Sequence, residues 1–240
     1  MIRGAAIGVL ALVLGTPGAS FDHAPLDRVL AGNVREGRVD YRAIGATRLS
    51  ELDRYLDRLA AFDPTSLPRD ERLAFAINLY NASMIRAVLD RMKDGWSPAD
   101  SAFAVFHEPL VRTSAGRLSL DSLEHGVIRR RFHEPRVHVA LVCAARSCPP
   151  LVARAYRGAG LDRTLERNLA AFATDSTRNR VDEPTRTLWL SPLFKWYAED
   201  FAPLGGAAGV MSRAHRRDFS GWTVAWRNYD WSLNVTTSRR

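Results

Sequence analysis

Lysine is nearly absent from this chain. Lys93 and Lys195 are the only two, so the formal charge of +8 is carried almost wholly by arginine. A basic balance permits loose attraction to anionic surfaces or polymers. The arginines are scattered, however, and no aromatic-basic ladder or nucleic-acid motif accompanies them. The runs Arg129-Arg130-Arg131 and Arg216-Arg217 read as solvated helix faces, and nucleic acid is not an expected partner. Metal-binding spacings such as C-x-x-C and H-E-x-x-H are missing. His125, His138, Cys143 and Cys148 are of zinc-binding types, but they are not expected to form a metal site. Gly205 to Gly209 follows no strand and carries no Lys-Ser/Thr, so it is no phosphate loop. No cofactor is implied. Repeats and low-complexity tracts are absent too, and no pattern specifies an oligomeric state.

The longest apolar run lies at the N-terminus. Arg3 precedes the apolar stretch Ala5 to Leu14, and Gly18-Ala19-Ser20 offers a small-residue cleavage site. The run is too short to span a bilayer. The pattern predicts a signal peptide over 1–20, export to a periplasmic or extracellular space, and a mature chain from Phe21 without stable membrane insertion. The remaining 21–240 is long enough for one sizeable core. Hydrophobic residues at 46% and charged residues at 25% suit a globular protein.

Periodicity predicts a mixture of helices and short strands. Helices are expected over 24–34, 49–62, 69–92, 121–132 and 161–174, and from Ser191-Pro192 to Asp200. Hairpins are expected over 110–120 and 179–190, turning at Ser114-Ala115-Gly116 and at Glu183 to Arg186. A short strand at 38–41, late strands at 223–226 and 229–233, and a flexible connection at 205–209 complete the pattern. The economical fold is a single α+β domain, with helices packed on a small, mostly antiparallel sheet.

The central segment carries the chemistry. Val137 to Val142 is apolar and rich in β-branched residues, which predicts a buried strand. Pro149 and Pro150 suit the first turn of a helix continuing to Tyr156. Cys148 would then stand at a helix N-terminus, where unpaired N–H groups and the dipole favour a thiolate. A structural or disulfide-bonded cysteine is the competing reading. Ala144 to Ser147 form a turn able to bring Cys143 beside Cys148, and in an oxidising compartment the bridged and free states both stay open.

Five blocks of sequence carry a family resemblance: Leu73 to Ala82, Leu118 to Gly126, Cys143 to Leu151, Leu190 to Tyr197 and Tyr229 to Asn234. Together they resemble the domain of unknown function 547 family, over roughly Leu26 to Asn234. Ala76 departs from the large aromatic expected in the first block. The resemblance implies a domain identity and no reaction, so chemistry rests on the residues.

His125 is the leading base for Cys148, with His138 the alternative on the expected strand. His before Cys is the order of circularly permuted papain-like enzymes, an analogy that makes a cysteine-peptidase-like arrangement one form of the fold. Asn78 and Asn81 share a helix face; either orients the histidine or donates to an oxyanion, or both are structural clamps. Glu124, Ser147, Lys195 and Trp196 are expected near the cleft. The reading is a thiol-dependent hydrolase or acyl transferase acting on a small molecule or peptide. Its alternative is a non-enzymatic binding or scaffold module with structural Cys and His residues.

Overall fold

A computed structural model describes residues 19–236. The expected signal peptide, apart from Ala19 and Ser20, lies outside the described residues. The structure is about 52% helical, with small antiparallel and mixed sheets, and is α+β as expected.

The first layer is built by α1 (Ala24–Leu30), the hairpin β1 (Val34–Arg35) and β2 (Arg38–Val39), α2 (Tyr41–Thr47) and α3 (Leu49–Ala61). Asp40 caps α2 by accepting the Ala43 N–H at 2.9 Å. Helix α3 is amphipathic, and Leu52, Tyr55, Leu56 and Leu59 form its inner stripe. These pack on α4 (Arg69–Arg91), which is buried around most of its circumference from Leu73 to Val88. A helix so enclosed has no face for polar residues, so Asn78 and Asn81 inside it must find partners.

Helix α5 (Asp100–His107) contains an unusual turn. Ser101, Ala102 and Phe103 all have φ between 53° and 63°, a left-handed conformation in three successive non-glycine residues. The hairpin β3 (Val111–Thr113) and β4 (Gly116–Leu118) follows in the expected place. The expected helix over 121–132 forms, but Ser122–Arg129 winds as a π-helix before the short α6 (Arg130–Phe132). π-Turns inside helices concentrate at functional sites.

Two expectations fail in the central segment. Pro135–Val139 is a 3-10 turn capped by Glu134, and no strand follows it. Proline at the start of that turn and the Asn81 clamp described below decide the conformation there, overriding β-propensity. Residues 151–156 are irregular, so Cys148 does not begin a helix. The cysteine-peptidase-like arrangement is likewise unsupported. The chain here has no extended strand and no nucleophile-bearing helix start.

The remainder forms a second hydrophobic cluster. Helix α7 (Leu161–Thr174), the strands β5 (Arg180–Asp182) and β6 (Thr187–Leu190), and the short helices α8 (Leu193–Trp196) and α9 (Ala198–Phe201) enter it. Tyr197 separates α8 from α9, which breaks the single helix expected up to Asp200. Helix α10 (Gly206–His215) occupies the supposed flexible glycine connection. Gly205 and Gly206 take positive φ at its start, and Gly209 stands where a Cβ would lie 2.4 Å from the Leu204 carbonyl oxygen. Strand β7 (Thr223–Trp226) adds to β6 in parallel and completes a three-stranded sheet of order β5-β6-β7. Residues 229–233 form no strand; they meet the cysteine segment through the Ala145–Leu233 bridge. No helix among the described residues is long and apolar enough to cross a membrane.

Candidate functional site

The cysteine segment is fastened from three sides. From α4, Asn81 Nδ2 donates to the Ala140 carbonyl and its Oδ1 accepts the Val142 N–H, both at 2.9 Å. Asn78 makes the same two-way clamp on Tyr156, at 2.8 and 2.9 Å. Both amides are thus spent on backbone, which is the structural role; neither lines the cavity or reaches an imidazole. From α7's far end, Arg178 donates to the Cys148 and Arg146 carbonyls at 3.0 and 3.2 Å. The third fastening is the C-terminal strap. Arg146 N–H donates to Ser232 O at 2.7 Å, Asn234 N–H to Ala144 O at 2.8 Å, and Asp230 N–H to Ser147 Oγ at 2.9 Å. Ser147 holds the strap and does not line the cavity; Lys195 is also outside it.

A cavity of about 250 Å³ opens against this segment. Tyr80, Phe103, Phe106, Trp196, Tyr229 and Trp231 supply its aromatic walls, and Cys143, Cys148, Glu124, His125 and His138 its chemistry. The two thiols are free and unequal. Cys148 is 3% exposed, accepts the Cys143 N–H at 2.8 Å, and has its ionisation pushed well up by burial and by its thiol neighbour. The expected thiolate at Cys148 is therefore reversed, because the helix start that would stabilise it does not form. Burial opposes charge on Cys143 as well, but its neighbours outweigh it: the Cys148 thiol, the Tyr229 hydroxyl at 3.3 Å and the Ala145 backbone together hold the Cys143 thiol below its ordinary range. Ala144, with φ 61°, makes the left-handed turn that folds the chain back at this point. A non-glycine residue in that region is strained, and such strain concentrates at sites.

His138 is 3% exposed. Its Nε2 lies 2.6 Å from Asp200 Oδ2, and its ring stacks on Tyr197 with centroids 3.6 Å apart. Burial pushes its ionisation down to about 4, against the pull of Asp200, so the ring is neutral at pH 7. With Nε2–H donating to Asp200, Nδ1 is an acceptor; it is buried and has no hydrogen-bond partner. His138, expected on a strand, thus lies in the 3-10 turn with one ring nitrogen unpartnered. Glu124 Oε1 lies 3.7 Å from that nitrogen and accepts the Tyr197 hydroxyl at 2.6 Å. Burial raises the Glu124 carboxyl and favours its protonated form. Asp200 itself is held down at about 2, chiefly by two hydrogen bonds from Arg129 at 2.7 and 2.9 Å.

His125 also borders the cavity, but its side chain is 41% exposed. Its Nδ1 lies 2.8 Å from Arg129 Nη1 and its Nε2 3.3 Å from Asp121 Oδ1. Both ring nitrogens are thereby engaged away from the thiols. Successive positions on the π-turn point in different directions, so Glu124 turns inward while His125 faces out.

Tyr197, Asp200, Tyr229, Phe103, Trp231 and Arg178 were not read as site residues from the sequence. Tyr229 and Trp231 lie in the last of the five resembling blocks, the single signal that pointed to them. Among the described residues, no group of three or more His, Cys, Asp or Glu is placed to hold a metal ion. Residues 64–173 match the family model described as "Protein of unknown function, DUF547". That match takes in the first three resembling blocks and is narrower than the expected Leu26 to Asn234. No curated protein and no solved structure matches the chain.

Proposed function

On the premise that residues 64–173 belong to the DUF547 family, we propose that the protein is a thiol-dependent hydrolase or acyl transferase with Cys143 as its nucleophile. One observation carries this reading. A sulfur in the cavity wall, hydrogen-bonded to the Tyr229 hydroxyl at 3.3 Å, shares that cavity with a buried imidazole whose Nδ1 has no partner and with a buried carboxyl 3.7 Å from that nitrogen. A lowered thiol supplies the attacking anion, and a raised carboxyl supplies a proton.

The proton count closes with these groups. The Cys143 thiolate adds to the substrate carbonyl carbon, forming the C–S bond. The C–X bond then breaks, and the leaving group takes the proton of the Glu124 carboxyl, which stands beside the acceptor Nδ1 of His138. In the second half, water or an acceptor alcohol or amine gives a proton back to that pair as it attacks the thioester, and Cys143 leaves again as thiolate. Asp200 accepts from His138 Nε2 and keeps Nδ1 free for this exchange, and Arg129 keeps Asp200 charged. Cys148, which accepts the Cys143 N–H and donates to the Leu141 carbonyl, holds the turn rather than acting as the nucleophile.

The test is site-resolved alkylation by iodoacetamide between pH 5 and 9. Cys143 should react at rates above a model thiol near pH 6–7, with Cys148 protected until unfolding. Replacing His138 by Asn should abolish turnover of any ester found to be a substrate while leaving the thiol reactive. Model-thiol behaviour at Cys143 would leave the cavity as that of a binding module. Export is proposed from the N-terminal pattern alone; mature protein recovered from exporting cells with Phe21 at its N-terminus is the expected outcome.

A further inference from the structure

We infer that the cavity takes an uncharged acyl group bearing an aromatic ring, delivered as an ester, thioester or amide. The inference rests on the thiol reading above and names the substrate of that site. Charge is the first argument. The protein has 34 Lys and Arg residues, yet among the described residues none lines the cavity. Two guanidiniums lie behind its walls and are spent elsewhere: Arg129, whose carbon is 5.1 Å from the Tyr197 ring centroid, on Asp200 and His125, and Arg178 on the Cys148 and Arg146 carbonyls. Inside, His138 is neutral and Glu124 is inclined to be so, while Asp121 adds the charge that would repel an anion. A carboxylate or phosphate on the acyl part would meet no Lys or Arg, only the exposed His107 and a His125 already engaged by Asp121 and Arg129, and desolvating it beside the thiols would be costly.

The walls are the second argument. Trp196, Tyr229 and Trp231 pack on one another with centroids 4.6 to 6.0 Å apart, and Tyr229, in contact with both tryptophans, places its hydroxyl 3.3 Å from the nucleophilic sulfur. A ring laid along this wall is led to Cys143. At the mouth, Phe103 stands edge-on to Trp231 at 4.8 Å and is still 36% exposed. Its backbone is one of the three left-handed residues in α5, a conformation that is strained in a non-glycine residue. Strain spent to hold an apolar ring in solvent has no folding benefit, and it is explained by a ring that comes to meet it. Aromatic pairs favour the offset and edge-on contacts that this rim offers.

Alkylation probes sharing one warhead test the inference on the full-length protein, with each rate divided by that of a model thiol. Iodoacetamide, N-phenethyl-iodoacetamide and the anionic N-iodoacetyl-glutamate differ only in the tail. The phenethyl probe should label Cys143 at least tenfold faster than iodoacetamide, the glutamate probe slower. Phe103→Ala, at an exposed position, should collapse the phenethyl-to-iodoacetamide ratio. Fast labelling of Cys143 with no preference among tails would overturn the substrate inference and leave the thiol reading standing. Model-thiol rates with every probe would overturn both. Binding provides a second measurement on Cys143→Ala, through the fluorescence of Trp196 and Trp231. N-acetyl-phenylalanine amide should perturb it saturably and N-acetyl-aspartate should not; equal responses would also overturn the inference.

Discussion

The Tyr229 hydroxyl lies 3.3 Å from the Cys143 sulfur, across 86 positions of sequence. It is that sulfur's hydrogen-bond partner, and burial together with the sulfur's charge pushes its own ionisation well up, which favours the phenol as donor. A hydrogen bond to a charged partner contributes about 1.5–3 kcal/mol, and about 1.4 kcal/mol is one pKa unit. Tyr229→Phe keeps the ring and removes the donor. The pH midpoint for Cys143 alkylation should therefore rise by one unit or more, while folding stability changes little. An unshifted midpoint would mean that the phenol does not stabilise the thiolate.

Asn81 should matter for stability, not chemistry. Asn81→Ala leaves the Ala140 carbonyl and the Val142 N–H unpaired in a buried segment, and opens a small void in α4. Losing two buried bonds costs about 2–4 kcal/mol. Urea unfolding should report that loss, with Asn78→Ala similar because it leaves the same pair of groups unpaired at Tyr156. If Asn81→Ala were as stable as the parent protein but lost Cys143 reactivity, a catalytic role for the amide would return.

Gly37 supports the same segment from the β1–β2 hairpin. With φ 76°, it sits where a Cβ would fall 2.3 Å from Pro150 Cβ, two residues after Cys148. Gly37→Ala should therefore cost about 1–3 kcal/mol, from the strained φ and from pushing Pro150 aside. It should also raise the accessibility of Cys148 to alkylation, measured by peptide mapping. A variant of parental stability with Cys148 still protected would show that this contact is slack.

Long, periodic elements were legible in the sequence. The spacing in α3, α4 and α7 and the turn residues of both hairpins placed those elements to within a residue or two, because each buries one patterned surface. The cysteine segment was misread for a physical reason. Val137 to Val142 has the composition of a strand, but its backbone partners are Asn81 and the residues around it rather than another strand. A clamp from 60 positions away leaves no periodicity to read. The site suffered in the same way. Cys148, His125 and His138 do border one cavity, yet which sulfur is lowered and which imidazole is buried depends on Tyr229, Tyr197 and Asp200. Those arrive from the C-terminal third of the chain. Helices α2 and α5 were missed because they are short and their apolar residues form no long stripe.

Acid should destabilise the protein in two windows. Burial holds His138 and His23 down at about 4 in the fold, against an ordinary 6.5. His23 is buried with its Nδ1 on the Tyr55 hydroxyl at 2.6 Å and its Nε2 unpartnered. Between pH 6.5 and 4 the unfolded chain binds protons at these positions that the folded chain refuses, so stability is complete above 6.5 and is lost as pH falls towards 4. Each depressed histidine contributes up to about 3 kcal/mol to that loss. Asp200, held at about 2 mainly by Arg129, adds a second loss between about 4 and 2. Glu124 acts in the opposite sense: its raised carboxyl is better tolerated once protonated, so it offsets part of the first loss. Melting temperature against pH should therefore fall below 6.5, more gently in His138→Asn and more steeply in Glu124→Gln, where the offsetting carboxyl is gone. A parent profile flat from pH 7 to 4, or a slope unaffected by His138→Asn, would show that His138 accepts a proton in the fold as readily as in water, and the neutral imidazole assigned to the site would have to be abandoned.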